Sequence, residues 1–121
     1  MALSDPQSIT IGTTPGTVSC PRTPAGANQG TFNDANGTVY IRVAHNLAKR
    51  TRRTARVDLN KIAPDPITAV NQKMSASAYI VIDAPPSGFT VTELKDLVKG
   101  LTGWLTASSD ANLLKVLGGE A

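Results

Sequence analysis

Polar and apolar residues alternate with a period of two through the middle of the chain, which predicts β-strands over residues 38–45 and 51–62. Each strand then has one apolar face and one polar face. The polar faces carry Tyr40, Arg42, Ala44, Arg52, Thr54, Arg56 and Asp58. The apolar faces carry Val39, Ile41, Val43, Ala55, Val57 and Leu59, together with Arg53. Such a sheet needs a packing layer on one side and a partner for its arginines on the other.

Further strands are predicted on both sides of this pair. Residues 8–11 and 17–20 alternate around a turn rich in glycine and proline, which indicates an N-terminal hairpin. Residues 30–34 predict a brief edge strand, and Asn36-Gly37 after it is a strong turn signal. Pro64 and Pro66 predict a loop that begins at residue 63, and residues 73–83 predict a long final strand. The first 83 residues thus predict about six antiparallel strands in a hairpin and a meander.

The period changes beyond residue 84. Thr90 and Glu93 have the spacing of a capping box, in which each side chain satisfies a free amide at a helix start. Apolar residues then recur every three or four positions, as in an amphipathic helix, and Ser108-Ser109-Asp110 predicts the start of a second short helix that ends before Gly118. We therefore predict one α+β domain over residues 1–121, with antiparallel β-structure in residues 1–83 and two C-terminal α-helices in residues 90–117.

Composition suggests that this domain does not fold alone. The chain has 121 residues, of which only five are aromatic: Phe32, Tyr40, Tyr79, Phe89 and Trp104. A domain of this size buries a modest core. We therefore expect part of the apolar surface to be buried against another subunit.

Positive charge is concentrated in one segment. Residues 35–57 contain six basic residues and no Asp or Glu: Arg42, Lys49, Arg50, Arg52, Arg53 and Arg56. The rest of the chain has six basic and nine acidic residues, so it is net −3 against +6 for this segment. A localised positive field of this kind is typical of polyanion binding. The alternative, a solvated hairpin tip, accounts for Lys49 and Arg50 but not for the arginines that alternation places on one face.

Enzymatic and metal chemistry finds little support in the sequence. His45 is the single histidine and Cys20 the single cysteine, so one chain cannot supply a His/Cys metal site. Glycines do not occur in a phosphate-binding loop pattern, and no acid/base pair is evident. We expect no catalysis, no metal and no cofactor. Cys20 cannot form an intrachain disulfide, although a bridge between subunits remains an alternative.

Membrane association is not expected either. The chain lacks a run of 18 apolar residues, and its first residues lack the basic and apolar regions of a signal peptide.

The whole arrangement resembles the coat proteins of single-stranded RNA bacteriophages. The resemblance lies in strand order, charge placement and size over nearly the whole chain, and it includes the paired central strands from Tyr40-Ile-Arg42 through Arg56-Val-Asp58. The opening Met-Ala-Leu-x-Asp, with Ile-Thr-Ile-Gly after it, also looks like members that infect Caulobacter. The single motifs are weak, because this family is very divergent.

The resemblance implies an interlocked homodimer in which two sheets form one continuous sheet. Each subunit's helices then lie over the partner's sheet, through the apolar residues Leu97, Leu101, Trp104 and Leu105. The loop between the last two strands implies contacts between dimers around the symmetry axes of an icosahedral shell. Its expected contact residues are Pro64, Asp65, Pro66 and Ile67.

The opposite sheet face is implied to bind the single-stranded RNA genome inside the virion, which assembles in the cytoplasm of the host bacterium. By matching positions, this face comprises Tyr40, Arg42, Lys49, Arg50, Arg52, Thr54, Arg56, Ser75, Ser77 and Tyr79. Family members often also bind one RNA hairpin, with small polar pockets for flipped adenines, and so repress translation. This chain has Tyr40 and Arg42 where several members have Thr and Ser, which argues against a hairpin of the usual kind.

Two other classes compete with a coat protein. A small cellular nucleic-acid-binding β-sheet module would use the same arginines and tyrosines. An ordinary enzyme subunit is disfavoured, because the sequence shows no catalytic arrangement. The size of the purified particle discriminates, since only a coat protein forms large shells.

Overall fold

The computed structural model describes residues 3–12, 16–23 and 26–120. Contacts divide the chain into two units, residues 1–83 and 84–121. Seven strands and one helical segment are found in the described residues. They are β1 (Gln7–Ile11), β2 (Gly16–Cys20), β3 (Arg22–Thr23), β4 (Gln29–Asn33), β5 (Val39–Leu47), β6 (Thr51–Pro64), β7 (Asn71–Ala84) and α1 (Val91–Leu117).

The strands form a two-stranded and a five-stranded sheet. β1 pairs with β2 as an antiparallel hairpin, and the larger sheet has the order β3-β4-β5-β6-β7. Antiparallel pairing is in sequence order from β3 to β6, as in a meander. All six strands predicted from the sequence are present, and β3 is an additional strand of two residues.

The core lies between the hairpin and one face of the larger sheet. Phe32, Ile41 and Val57 are directly opposite one another on β4, β5 and β6, and Val39 is opposite Leu59. Cys20, Phe32 and Val39 are fully buried, and around them pack Ile9, Ile11, Val18, Ile41, Val57 and Leu59. Full burial of an aliphatic or aromatic side chain stabilises the fold by roughly 1.5–3 kcal/mol. The apolar alternation of the central strands is thus explained by the hairpin that covers it.

The turn between β4 and β5 is held by a buried carboxylate. Asp34 is 4% exposed, and its Oδ1 accepts hydrogen bonds from the backbone N–H groups of Thr38 at 2.7 Å and Val39 at 3.1 Å. Gly37 has φ 69°, a left-handed conformation that glycine adopts without a steric cost. The Asn36-Gly37 turn predicted from the sequence is therefore present, but Asp34 contributes much of its hydrogen bonding.

Two details of the strand prediction are wrong. β4 is an interior strand rather than an edge strand, because β3 pairs along its other side. β6 continues through Pro64, so Ala63 and Pro64 belong to the strand and not to the loop that follows. A proline at the very end of a strand costs little, because its missing N–H interrupts no later ladder bond. Most of the predicted turn between β1 and β2 lies outside the described residues.

The C-terminal unit begins with the predicted capping box. Thr90 Oγ1 accepts from Glu93 N–H at 3.2 Å, and Glu93 Oε2 accepts from Thr90 N–H at 3.3 Å. The helical segment Val91–Leu117 comprises two helical stretches with a kink between them. Its backbone leaves the helical conformation at Ala107 and is left-handed at Ser108, Ser109 and Asp110. The interruption lies at Ser108-Ser109-Asp110, where the sequence predicts the start of a second helix.

Cys20 belongs to the core and not to a reactive site. Burial raises the pKa of its thiol, and the nearby Asp34 carboxylate raises it further. A protonated, fully buried thiol is a poor nucleophile. A disulfide between subunits would require this core to open.

Candidate nucleic-acid interface

The register of β5 and β6 brings the predicted polar residues onto one face. Arg42 is directly opposite Arg56, and Ala44 is opposite Thr54. Tyr40 is opposite Asp58 in the same register. Because alternate residues of a strand point to opposite faces, all of these share the face turned away from the core. We call this surface the basic face; it also includes Arg52 and the side chains of β7 and of the β5–β6 turn that contact these arginines.

Arg53 lies on the opposite face of the sheet, as the alternation predicts. It is opposite His45 in the register, and its Nη1 lies 3.3 Å from His45 Nδ1. Both residues therefore share the face of Val43 and Ala55, as the sequence predicted for Arg53. The basic segment is thus divided between two faces, and only one of them gathers the arginines.

One cluster of the basic face centres on Asp58. Arg56 Nε donates to Asp58 Oδ1 at 2.8 Å, and Arg42 Nε lies 4.0 Å from Asp58 Oδ2. The Asp58 side chain is 16% exposed, whereas the two arginine side chains are 43% and 58% exposed. The carboxylate thus lies below two guanidinium groups that remain accessible.

A second cluster centres on Asp83 at the end of β7. Arg50 Nε donates to Asp83 Oδ1 at 3.1 Å, and Arg52 Nε lies 3.7 Å from Asp83 Oδ2. More than half of each arginine side chain is exposed. Arg50 and Arg52 thus have the same arrangement as Arg42 and Arg56, two arginines sharing one carboxylate.

Residues of β7 extend the basic face beside Arg56. Arg56 Nη2 donates to Ser77 Oγ at 3.3 Å, and its guanidinium lies 5.6 Å from the centre of the Tyr79 ring. Tyr79 is 61% exposed. An exposed aromatic ring beside an arginine offers a surface on which an unpaired base stacks.

A shallow depression of about 310 Å³ lies on the basic face. Arg42, Thr54 and Arg56 all border it. Its lining residues are Gln29, Gly30, Thr31, Arg42, Val43, Ala44, Thr54 and Arg56. Guanidinium and hydroxyl groups around an open depression suit a phosphate or the edge of a base.

The predicted RNA-binding residues do not form a single group in the structure. Arg42, Arg56, Ser77 and Tyr79 form one group, and Arg50 and Arg52 form another. Tyr40 is only partly exposed, so it is less available for stacking than Tyr79. Of the remaining predicted residues, Thr54 is partly exposed and lines the depression, whereas Lys49, in the bend before β6, and Ser75, on β7, are exposed.

Sequence reasoning missed the roles of Asp58 and Asp83. The alternation already placed Asp58 beside Arg56 and, continued to the end of β7, places Asp83 on the face of Ser77 and Tyr79. Their carboxylates lower the charge of the basic face, because two aspartates among four arginines leave a net charge of +2. The face remains positive but is weaker than a count of arginines suggests.

The loop between β6 and β7 forms a separate feature. Asp65 N–H donates to Val70 O at 2.9 Å and closes the loop, while Asp65 Oδ1 accepts from Ile67 N–H at 2.8 Å. Ile67 is 93% exposed. Pro66 and Ile67 are therefore presented on a short, ordered loop, whereas the predicted contact residue Pro64 belongs to β6.

The apolar side chains of the helical segment are largely uncovered. None of its residues is buried; Leu97, Leu101 and Trp104 are 65%, 48% and 54% exposed, and Leu105 is partly exposed. Among the described residues, no helix is long and apolar enough to cross a membrane. Likewise, no group of three or more metal-ligating side chains occurs in the described part of the chain.

Comparison with known proteins gives matches at the level of structure. No protein-family model matches the chain, and no curated protein matches it in sequence. The chain is similar to the virus-like particle of bacteriophage AVE019, with 14% identity, 95% of both chains covered and a TM-score of 0.77. It is also similar to the bacteriophage EMS014 coat protein, with 11% identity, 98% of both chains covered and a TM-score of 0.77.

A third solved structure is an unassembled virus coat protein dimer described as a bacteriophage RNA-binding dimer. It is 13% identical, with 97% of this chain and 95% of that chain covered and a TM-score of 0.60. These proteins are structural components of virus particles rather than enzymes. Over nearly its whole length, the chain therefore has the fold of levivirus-like bacteriophage coat proteins, as its sequence resemblance implied.

Proposed function

We propose that this protein is a capsid protein that dimerises, assembles into an icosahedral shell and packages single-stranded RNA through the basic face. The observation that carries the proposal is the set of accessible arginines on one sheet face, in a fold that bacteriophage coat proteins share. Arginine suits phosphate because its planar group donates several hydrogen bonds and remains charged. The location of the protein is then the virion, with assembly in the bacterial host cytoplasm.

Self-association is supported by the surfaces that a single chain leaves uncovered. β7 has 14 residues and lies at one edge of the five-stranded sheet, while the other edge is the two-residue β3. A long open edge strand presents backbone groups that pair readily with another strand. We therefore propose that β7 pairs with β7 of a second copy, giving one continuous sheet across an interlocked homodimer.

The helical segment supports the same assembly. Its apolar residues need a surface, and the described residues supply only a small core with four buried hydrophobic residues: Cys20, Phe32, Val39 and Ala84. A helix whose apolar residues are exposed gains most of its stability from tertiary packing. We propose that Leu97, Leu101, Trp104 and Leu105 pack on the partner's sheet.

RNA packaging needs little sequence preference. Phosphate contacts position RNA without reading its bases, and stacking on Tyr79 accepts any base. Repression of translation through one hairpin would use the depression beside Arg42, where this chain offers a guanidinium group instead of a small hydroxyl. Packaging through the four arginines does not depend on that finer activity.

The direct test is expression of the chain followed by size-exclusion chromatography and electron microscopy. We expect particles of megadalton mass that contain nuclease-protected RNA. A nucleic-acid-binding module would instead elute as a monomer or dimer. Elution of the folded chain as a small species under all assembly conditions would contradict the capsid proposal.

Shortening the β6–β7 loop tests its proposed contact between dimers. Because Asp65 N–H already bonds Val70 O, replacing residues 66–69 with Asn-Gly should close the hairpin without disturbing the strands. We expect folded dimers that bind RNA but form no normal shells. Electron micrographs check the shells, and light scattering checks the dimers.

A point substitution refines the loop test. Ile67 is 93% exposed, so Ile67→Ser should leave the stability of the dimer within about 0.5 kcal/mol. Loss of shells in this variant would locate the contact at Ile67. Normal particles from the shortened-loop protein would show that the loop is not an assembly contact.

A further inference from the structure

The two carboxylates of the basic face occupy equivalent positions. Each lies between two arginines and uses one oxygen for each of them: Asp58 for Arg56 and Arg42, and Asp83 for Arg50 and Arg52. In all four pairs the arginine atom nearest to the carboxylate is Nε. The repeated geometry indicates one common role for the two aspartates.

Part of that role concerns the fold. Arg42 and Arg56 are directly opposite each other on neighbouring strands, and like charges in that position destabilise a sheet. Asp58 reduces this repulsion. Stabilisation alone, however, does not explain Asp83, because ion pairs between exposed side chains contribute little to stability.

We propose that Asp58 and Asp83 attenuate RNA binding by competing with phosphate groups for the four arginines. This inference rests on the proposed packaging of RNA. A phosphate that approaches Arg42, Arg50, Arg52 or Arg56 meets a guanidinium group whose charge is already partly neutralised by a carboxylate. The phosphate is also repelled by that carboxylate over a short distance.

Weaker RNA binding by each basic face is compatible with packaging in a shell. A shell repeats the same face many times, and the overall avidity of linked sites far exceeds the affinity of one site. Each face therefore needs only modest affinity to retain the genome. Weak contacts also dissociate quickly, which lets RNA rearrange while the shell closes.

The substitutions Asp58→Asn and Asp83→Asn test this role. Asn keeps the size of the side chain and one oxygen acceptor but removes the charge. At low salt we expect each variant to bind an unstructured oligouridine about fourfold more tightly, the factor for unit charges about 5 Å apart in water. The dependence of affinity on salt should also become steeper, because arginines freed from aspartate release more counterions from RNA.

Asp65→Asn, measured on unassembled dimers because Asp65 is an expected contact between dimers, is the matched control. It changes the net charge by the same amount and keeps the oxygen that accepts from Ile67 N–H. Asp65 lies seven residues beyond Asp58, about 23 Å along an extended strand, where unit charges in water change affinity by less than about 1.5-fold even without screening. We expect its RNA affinity and salt dependence to equal those of the wild type.

The direction of the change in RNA affinity tests the proposed attenuation. Unchanged or weaker binding by folded Asp58→Asn and Asp83→Asn proteins would overturn attenuation and indicate that the carboxylates only orient the arginines or stabilise the sheet. If Asp58→Asn does not fold, the more exposed Asp83→Asn decides alone. A wild-type protein that binds no oligouridine would instead refute the proposed function, so the two failures are distinguishable.

Discussion

Replacing both Arg52 and Arg56 with serine is expected to weaken RNA binding strongly and to reduce its salt dependence. Each phosphate of single-stranded RNA that an arginine no longer neutralises lowers the slope of log affinity against log salt by about 0.7. Two such phosphates lower the slope by about 1.4 and reduce affinity at 0.1 M salt by roughly 25-fold. Removing Arg56 also leaves Asp58 without its closest partner and detaches Ser77 and Tyr79 from the guanidinium group.

Arg53→Ser is the internal control for this experiment. It removes one positive charge from the same strand, but Arg53 lies on the opposite face beside His45. We expect a much smaller change in both affinity and salt slope. Titrations of dimers with labelled oligouridine at several salt concentrations measure both quantities, and circular dichroism checks that the variants fold. Equal losses per charge from both faces would mean that RNA does not bind the basic face.

Truncation of Trp104 to alanine is expected to disrupt the dimer. In the single chain Trp104 is 54% exposed, so its loss should cost the monomer little. If the partner's sheet buries it, the truncation should cost about 3–5 kcal/mol, as for other large core side chains. Because both subunits lose the side chain, the dimer dissociation constant would then rise by roughly four to seven orders of magnitude.

Lys99→Ala is the control for the helix. Lys99 is exposed and, at 3.6 residues per turn, lies on the opposite side of the helix from Leu97, Leu101 and Trp104. We expect its dimers to be as stable as those of the wild type. Light scattering and sedimentation at micromolar concentrations measure the association. A stable, soluble wild-type monomer at these concentrations would contradict the proposed dimer.

Local patterns in the sequence determined much of the fold. Alternation alone separated Arg42, Arg52 and Arg56 from Arg53, because the direction of a side chain in a strand depends only on whether its position is odd or even. The capping box at Thr90 and Glu93 was also predictable from the sequence, since its two hydrogen bonds join residues three positions apart. Features that depend on neighbouring residues were therefore predicted correctly.

The errors in the strand prediction arose where the structure of a residue depends on a partner strand from elsewhere in the chain. The sequence predicts β4 as an edge strand, because the two-residue β3 is too short to produce a pattern. Proline signalled the end of β6 too early, since its effect depends on whether a neighbouring strand needs its N–H at that point.

The sequence by itself thus determined which residues share the basic face, how charge is distributed along the chain and that apolar surface is left for a partner. Only the tertiary structure decided which groups contact each other on that face. Asp83 lies more than 30 residues from Arg50 and Arg52, and it reaches them only because β7 is placed beside β6. The physical reason is that alternation is a local property, whereas strand order and register are set by turns and core packing from distant parts of the chain.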